Sequence, residues 1–272
     1  MARRSIEDCR VIVTGASSGI GRELALALAR RRGRVLVSAR REDLLRSLVA
    51  ECQRLGGDGD FLAGDVTDAA YRQALVDRAL ERWGGIDVLV NNAGVSAHGT
   101  FATSTDATLR QIMEVNFFAA AELTRQALPA LRNHHQRAGA SPPPAIVNIG
   151  SILGHRAAPL NSEYAASKFA LRGWSEALRA ELAGQGIDVL LVSPGTTETE
   201  FFDHLLAKHG DLPWGKTKGI PAAAVAEQIV RALELGRREI FPNWRGRALV
   251  LANRFFPGLV DRAMVKLGRR AQ

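Results

Sequence analysis

The Tyr164 phenol and the Lys168 ammonium, four residues apart in Tyr164-Ala165-Ala166-Ser167-Lys168, form a pair suited to acid–base chemistry. On a helix that spacing puts both groups on one face. A phenol ordinarily keeps its proton at neutral pH, with a pKa of about 10. A neighbouring cation stabilises the phenolate, so Tyr164 can both donate and accept a proton. Ser151 follows the run Val147-Asn148-Ile149-Gly150, which puts its hydroxyl at the carboxyl edge of a strand. Open α/β sheets bind their ligands at that edge. Tyr/Lys pairs of this spacing are common on helices. The serine and a glycine loop upstream give this one its weight.

The loop is Thr14-Gly15-Ala16-Ser17-Ser18-Gly19-Ile20-Gly21, between an apolar strand and an amphipathic helix. Its glycines allow a tight turn and close approach to a pyrophosphate, and the helix N-terminus adds N–H donors and a positive dipole end. The spacing predicts a dinucleotide site. In an NAD site an acidic residue ends the second strand and binds the ribose hydroxyls. Here that strand ends Val37-Ser38-Ala39-Arg40-Arg41. Arg40 in place of the acid suits a 2′-phosphate, so NADP(H) is expected over NAD(H). The alternative is that Arg40 is a solvated charge opening the next helix beside Glu42 and Asp43.

These groups must be positioned by alternating short apolar runs and longer amphipathic ones, the pattern of a parallel sheet wrapped by helices. Strands are predicted at Val11–Thr14, Val35–Ala39, Asp60–Ala63, Val88–Asn91, Ala145–Ile149 and Val189–Ser193, with a seventh around Glu239–Phe241. Their continuous Val/Ile/Leu runs are those of strands covered on both faces. Helices are predicted at Gly19–Arg31, Arg41–Leu55, Ala69–Trp83, Ala107–Asn133, Glu163–Leu182 and Pro221–Leu235, the last with Pro221 in its first turn. The expected fold is α/β, a Rossmann-type doubly wound sheet of about seven mostly parallel strands with helices on both faces. Residues 1–243 form the nucleotide-binding catalytic domain, and residues 244–272 form a basic helical extension of the same domain. Arg137–Pro144 reads as a surface loop.

Charge is unevenly spread over the 272 residues. The net is +8, of which +7 falls in residues 237–272. The nearly neutral remainder gives no sign of a nucleic-acid-binding core. Two cysteines, Cys9 and Cys52, make neither a disulfide framework nor a metal site. No metal is expected, and the His134-His135 pair reads as a solvated loop. No apolar run is long enough to cross a bilayer. The opening Met1-Ala2-Arg3-Arg4 leads towards a strand without a signal-peptide core, so a cytoplasmic protein is expected.

Taken together, the motifs resemble the short-chain dehydrogenases/reductases in their compact single-domain branch. They run in family order to about Phe241: TGASSGIG at 14–21, Asp65-Val66, Asn91-Asn92-Ala93-Gly94, Asn116, Ser151, YAASK at 164–168, and Pro194-Gly195 with Thr199 beyond. The resemblance implies a catalytic set of Asn116, Ser151, Tyr164 and Lys168. Tyr164 would be the general acid/base. Lys168 would bind the nicotinamide ribose and lower the tyrosine pKa. Ser151 would bond the substrate oxygen, and Asn116 would hold a water linking Lys168 to solvent. It also implies cofactor contacts from Gly15, Ser17, Ser18, Gly19, Ile20 and Gly21, from Arg40, from Asp65 and Val66 at the adenine, and from Asn92, Ala93 and Gly94 beneath the cofactor. Pro194, Gly195, Thr197 and Thr199 would lie on the carboxamide side. The implied activity is hydride transfer between NADP(H) and a carbonyl or secondary alcohol, as a carbonyl reductase or alcohol dehydrogenase, in a homodimer or homotetramer.

The substrate is a small molecule whose class depends on less specific residues. Ser151, Leu153, His155, Phe201 and Phe202 are the pocket candidates. A lid at Thr196–Gly219 carries Phe201, Phe202, Leu205, Leu206 and Trp214. An apolar pocket for a lipophilic substrate and simple packing of the lid on the body are both open. A packing or rim role is expected for His98 and His155. The tail interleaves apolar residues from Leu249 to Leu267 with seven basic residues from Arg245 to Arg270, and Pro257-Gly258 divides it into two helical stretches. Its apolar face packs on the subunit or across an oligomer interface, or it lies on an anionic membrane surface. A non-catalytic nucleotide-binding scaffold and a membrane-surface adaptor are the competing readings of the whole chain.

Overall fold

The computed structural model describes residues 4–137, 142–210 and 218–270, with side chains of 133–137 and Arg270 excluded. Trp214, half of the Arg137–Pro144 insert and the His134-His135 side chains therefore lie outside the described residues. The histidine backbone continues a helix, where a loop was expected.

Seven strands form one parallel sheet: β1 (Arg10–Thr14), β2 (Arg34–Ala39), β3 (Asp58–Ala63), β4 (Val88–Asn91), β5 (Ala145–Ile149), β6 (Asp188–Val192) and β9 (Glu239–Ile240). Their order is β3-β2-β1-β4-β5-β6-β9, every neighbouring pair parallel. The chain winds outward from β1 to β3, returns to β4 beside β1, and winds out the other way. The reversal between β1 and β4 opens a crevice at the carboxyl edge. β7 (Thr197–Glu198) and β8 (Ile220–Pro221) form a separate parallel pair.

The strands are apolar throughout because helices cover both faces. One buried cluster joins Val11, Val13, Val35 and Val37 to α1 (Gly19–Ala29), α2 (Glu42–Arg54) and α7 (Ala222–Glu234). The other joins Ile12, Leu36, Leu89 and Ile146 to α3 (Ala69–Trp83), α5 (Ala119–Arg137) and α6 (Ser162–Ala183). Alternate strand residues feed opposite clusters, as a pleat requires.

Three features differ from expectation, and the tail agrees with it. The single helix expected over Ala107–Asn133 is α4 (Asp106–Met113), a π-helical turn (Glu114–Phe118) and α5. The extra residue keeps an approximately helical apolar period, so patterning does not expose it. Pro221 precedes the first turn of α7, in an extended conformation with ψ 139°. The β7–β8 pair closes the base of the lid region. The tail forms α8 (Trp244–Phe255) and α9 (Pro257–Arg270), broken at Phe256 as the Pro257 signal implies. Among the described residues, no helix is long and apolar enough to cross a membrane and no His/Cys/Asp/Glu cluster could hold a metal ion. Cys9 and Cys52 are buried free thiols.

Candidate active site

The glycine loop leaves β1 at the topological switch. Gly15 has φ 65°, and a Cβ there would stand 2.7 Å from the Ala93 Cα. The turn after β4 therefore lies directly against the loop. A Cβ at Gly21 would meet the Asn92 Nδ2 at 2.4 Å and the Gly15 carbonyl at 2.6 Å. Gly21 does not line the cavity; it lets α1 seat against the loop. Asn92 braces the same turn, its Nδ2 donating to the carbonyls of Thr14 (2.8 Å) and Gly15 (3.0 Å). Ser18 is the N-cap of α1 and makes no side-chain cap bond. A cradle with no room for a Cβ, facing a helix N-terminus, fits a dinucleotide pyrophosphate.

Along the groove, Ser17, Ser18, Gly19, Ile20, Arg40, Asp65, Val66, Ala93 and Gly94 line one cavity of about 1240 Å³. Pro194, Gly195, Thr197 and Thr199 line it from the β6 side. Arg40 is exposed after β2, while its neighbour Arg41 turns towards the loop. Arg41 Nη2 donates to Ser17 Oγ at 3.0 Å and Ser18 Oγ at 2.9 Å, and its Nη1 lies 3.4 Å from Glu200 Oε2. The sequence pointed to Arg40 alone, whereas in the structure Arg41 is the arginine that bonds the loop. The signal was the adjacent basic pair.

The proton-handling groups meet at the carboxyl ends of β4 and β5. Ser151 caps a short 3-10 turn (Ile152–Gly154), its Oγ accepting from Leu153 N at 3.1 Å. Tyr164 and Lys168 rise from α6, with the Lys168 Nζ 5.6 Å from the Tyr164 ring centre. Lys168 is 4% exposed and donates to the Ile149 carbonyl at 2.8 Å. Burial lowers its pKa to about 8. Burial also pushes the Tyr164 phenol up to about 12, with a hydrogen bond to Ser151 opposing the rise. Removal from water is thus the larger influence on the phenol in this structure, and the hydrogen bond to Ser151 the smaller.

Asn116 sits in the π turn, buried. Its Oδ1 accepts from Val95 N at 2.8 Å, and its Nδ2 donates to Val95 O at 3.0 Å and Ser167 Oγ at 2.9 Å. Its side chain thus fastens the turn after β4 to α6, one residue from Lys168.

Above this floor, Phe201 packs on Tyr164 with ring centres 5.9 Å apart, and Phe202 meets Phe201 at 5.5 Å and His98 at 5.6 Å. Both phenylalanines and Leu153 line the cavity; Leu205 and Leu206 do not. Leu206 N bonds Ser96 O at 2.9 Å, so this part of the lid is stitched to the segment around His98. His155, a pocket candidate from the sequence, turns elsewhere. Its Nε2 lies 2.9 Å from Ser193 Oγ and 3.1 Å from Glu239 Oε1, against the Phe241 ring. As the residue that ends the 3-10 turn, it faces β6 and β9 instead of the cavity. Among the lining residues the sequence did not place in the site are Asp106, Leu109, Arg110, Gln111, Met113, Glu114 and Phe118 from α4 and the π turn, and Arg245, Gly246, Leu249, Met264 and Leu267 from the tail.

A family model described as short chain dehydrogenase matches residues 10–210. An uncharacterised oxidoreductase of Bacillus subtilis, YxnA, is 32% identical over 272 residues, covering 99% of this chain and 75% of that protein. Hydroxysteroid 11-beta-dehydrogenase 1-like protein B of Xenopus laevis is 31% identical over 272 residues, covering 98% of this chain and 89% of that relative. A short-chain dehydrogenase/reductase from Burkholderia phymatum, solved in complex with NAD, superposes with a TM-score of 0.84 at 25% identity, covering 94% of this chain and 96% of that one. Matches of this length on top of the sheet order and glycine cradle leave one lineage: the chain belongs to the short-chain dehydrogenase/reductase family.

Proposed function

We propose that this oxidoreductase interconverts a lipophilic carbonyl compound and its secondary or primary alcohol, using NADP(H), with Tyr164 as the general acid/base. The observation that carries the reading is a single cavity that runs from the glycine loop, past Ser151 and Tyr164, to an apolar end. Bound along the loop, a nicotinamide dinucleotide supplies or accepts the hydride. In reduction, Tyr164 gives its phenolic proton to the substrate oxygen as the carbon gains a hydride. In oxidation the phenolate takes that proton back. Ser151 donates a hydrogen bond to the same oxygen and aligns it with Tyr164. Lys168, buried beside the ring and lowered to about 8, provides the local positive field and a ribose contact.

The NADP preference rests on Arg40 and Arg41 together, with no carboxylate at the end of β2. The apolar character rests on Leu109, Met113, Phe118, Leu153, Phe201 and Phe202, which line the cavity together with Asp106, Arg110, Gln111 and Glu114. Residues 244–270 belong to the catalytic unit in this reading, because their inner side chains complete that wall. A homo-oligomer of cytoplasmic location completes the proposal.

The test is NADPH oxidation by the full chain over a panel of ketones, aldehydes and quinones of graded hydrophobicity. Rates should rise with apolar bulk. A panel in which only small polar carbonyls react contradicts the substrate class, and equal use of NADH contradicts the phosphate contacts.

A further inference from the structure

The two faces of the C-terminal helices differ in an unexpected way. Their inner side is well seated. Gly246 lies so close to Ile152 that a Cβ would come within 2.6 Å of the Ile152 Cγ2, Val260 is buried, and Asp261 pairs with Arg156 at 2.7 Å. Yet several of the tail's largest apolar residues stand in water. Trp244 is 74% exposed, Phe255 68%, Phe256 63% and Leu259 66%. Trp244, Ala248, Leu251 and Phe255 recur at steps of four, three and four, so they form one outward stripe along α8. Phe256 and Leu259 extend it around the corner into α9. Arg245, Arg247 and Arg254 accompany the stripe, and Arg262, Lys266 and Arg269 stand exposed on α9. Asp261, held by Arg156, is the one acidic residue from Trp244 to Arg270.

We propose that this outer face docks on a membrane surface rich in anionic lipid, with Trp244, Leu251, Phe255, Phe256 and Leu259 entering the boundary between headgroups and acyl chains. An apolar stripe with a basic surround is complementary to such a surface on both counts. A second copy of the chain is a poorer occupant. A two-fold interface through the stripe would press Arg245, Arg247 and Arg254 towards their own counterparts, with no carboxylates to receive them. The docking stands apart from the catalytic reading, since of its side chains only Arg245 also lines the cavity.

The experiment is co-sedimentation of the full chain with vesicles of phosphatidylcholine, with and without about one third phosphatidylglycerol. Binding should occur on the anionic vesicles and weaken sharply in about 1 M salt, where charge is screened within about 3 Å. Replacing Arg247, Arg254 or Lys266 by Gln should weaken it about fivefold each. The double change Phe255→Ser and Phe256→Ser should weaken it about tenfold or more. Leu80→Ser, an exposed apolar position on α3, should leave it unchanged and serves as control. All these side chains are exposed, and melting curves verify that the variants fold. Absence from anionic vesicles, or binding that ignores the tail substitutions, overturns the proposal. So does an oligomer in analytical ultracentrifugation that the Phe255/Phe256 change dissolves, because the face then belongs to a second copy.

Discussion

The floor and the roof of the cavity are built on opposite principles. On the floor, the buried Asn116 and Lys168 and the half-buried turn around Asn92 are tied to backbone groups by hydrogen bonds of 2.8–3.0 Å. On the roof, α8 and α9 meet the body through a few close contacts and leave large apolar side chains in water. Chemistry that needs a proton donor held in place calls for the first arrangement. Recognition of an apolar substrate or surface tolerates the second. Floor substitutions should therefore change turnover or electrostatics strongly. Outer roof substitutions should leave turnover of soluble substrates alone.

The largest effect is expected at Tyr164. Removing the phenolic proton in Tyr164→Phe should lower kcat about 10²–10⁴-fold, while dinucleotide affinity by fluorescence titration stays nearly unchanged. A variant with full kcat breaks the assignment of the floor.

Lys168 sharpens the comparison through stability. Its pKa in the folded chain is about 8, against an ordinary 10.5, so an unfolded chain binds a proton that the folded one has lost in that window. Stability from Lys168 therefore rises as pH climbs from about 8 towards 10.5. Tyr164 acts in the opposite sense at higher pH, its folded phenol holding a proton to about 12. The buried Cys9 and Cys52 thiols, pushed up to about 12 and about 11, work in the opposite sense from about pH 9, so the Lys168 contribution is read as a difference between two proteins. In chemical denaturation of the cofactor-free proteins, Lys168→Met should be the more stable at pH 7 by on the order of 3 kcal/mol, and that advantage should shrink between pH 8 and 10, while turnover collapses. A destabilised Lys168→Met variant would mean that the ammonium's bond to Ile149 outweighs its burial.

Arg41 comes next. Loss of a charge-assisted contact in Arg41→Ala should weaken NADPH about ten- to a hundredfold and NADH much less. Arg40→Ala should act in the same direction. Equal losses for both cofactors by isothermal titration would remove the phosphate role. The smallest effect belongs to the roof. Phe255→Ser should keep kcat on a small soluble ketone within about twofold, consistent with an exposed surface position.

Much of this floor was legible in the chain. Strands buried on both faces must be continuously apolar, so β4 and β5 fall at the predicted residues, Val88–Asn91 and Ala145–Ile149. The glycine loop is legible because its close approach to Ala93 allows no side chain at Gly15. The π turn is hidden because one inserted residue barely alters a helical period, though it sets Asn116. Arg41 was passed over because neighbouring residues have equal charge, and only backbone direction decides which one reaches Ser17 and Ser18. His155 takes the expected packing role and leaves the pocket, since the turn after Ser151 sends it towards Ser193 and Glu239. The tail's amphipathicity was visible, but not that it has two apolar faces. Leu249, Met264 and Leu267 line the cavity, while Trp244 and Phe255 point outward.

The central claim is that the groove over Gly15 and the hydroxyl of Tyr164 serve one hydride transfer. The most direct measurement follows deuterium from the nicotinamide C4 of labelled NADPH into product by mass spectrometry, with a lipophilic ketone as substrate. The account predicts one deuterium on the carbinol carbon with the native chain, and almost none with Tyr164→Phe under conditions where both bind NADPH. Transfer at equal rates by the two proteins would contradict it, as would native protein that binds NADPH yet labels no carbonyl across the panel.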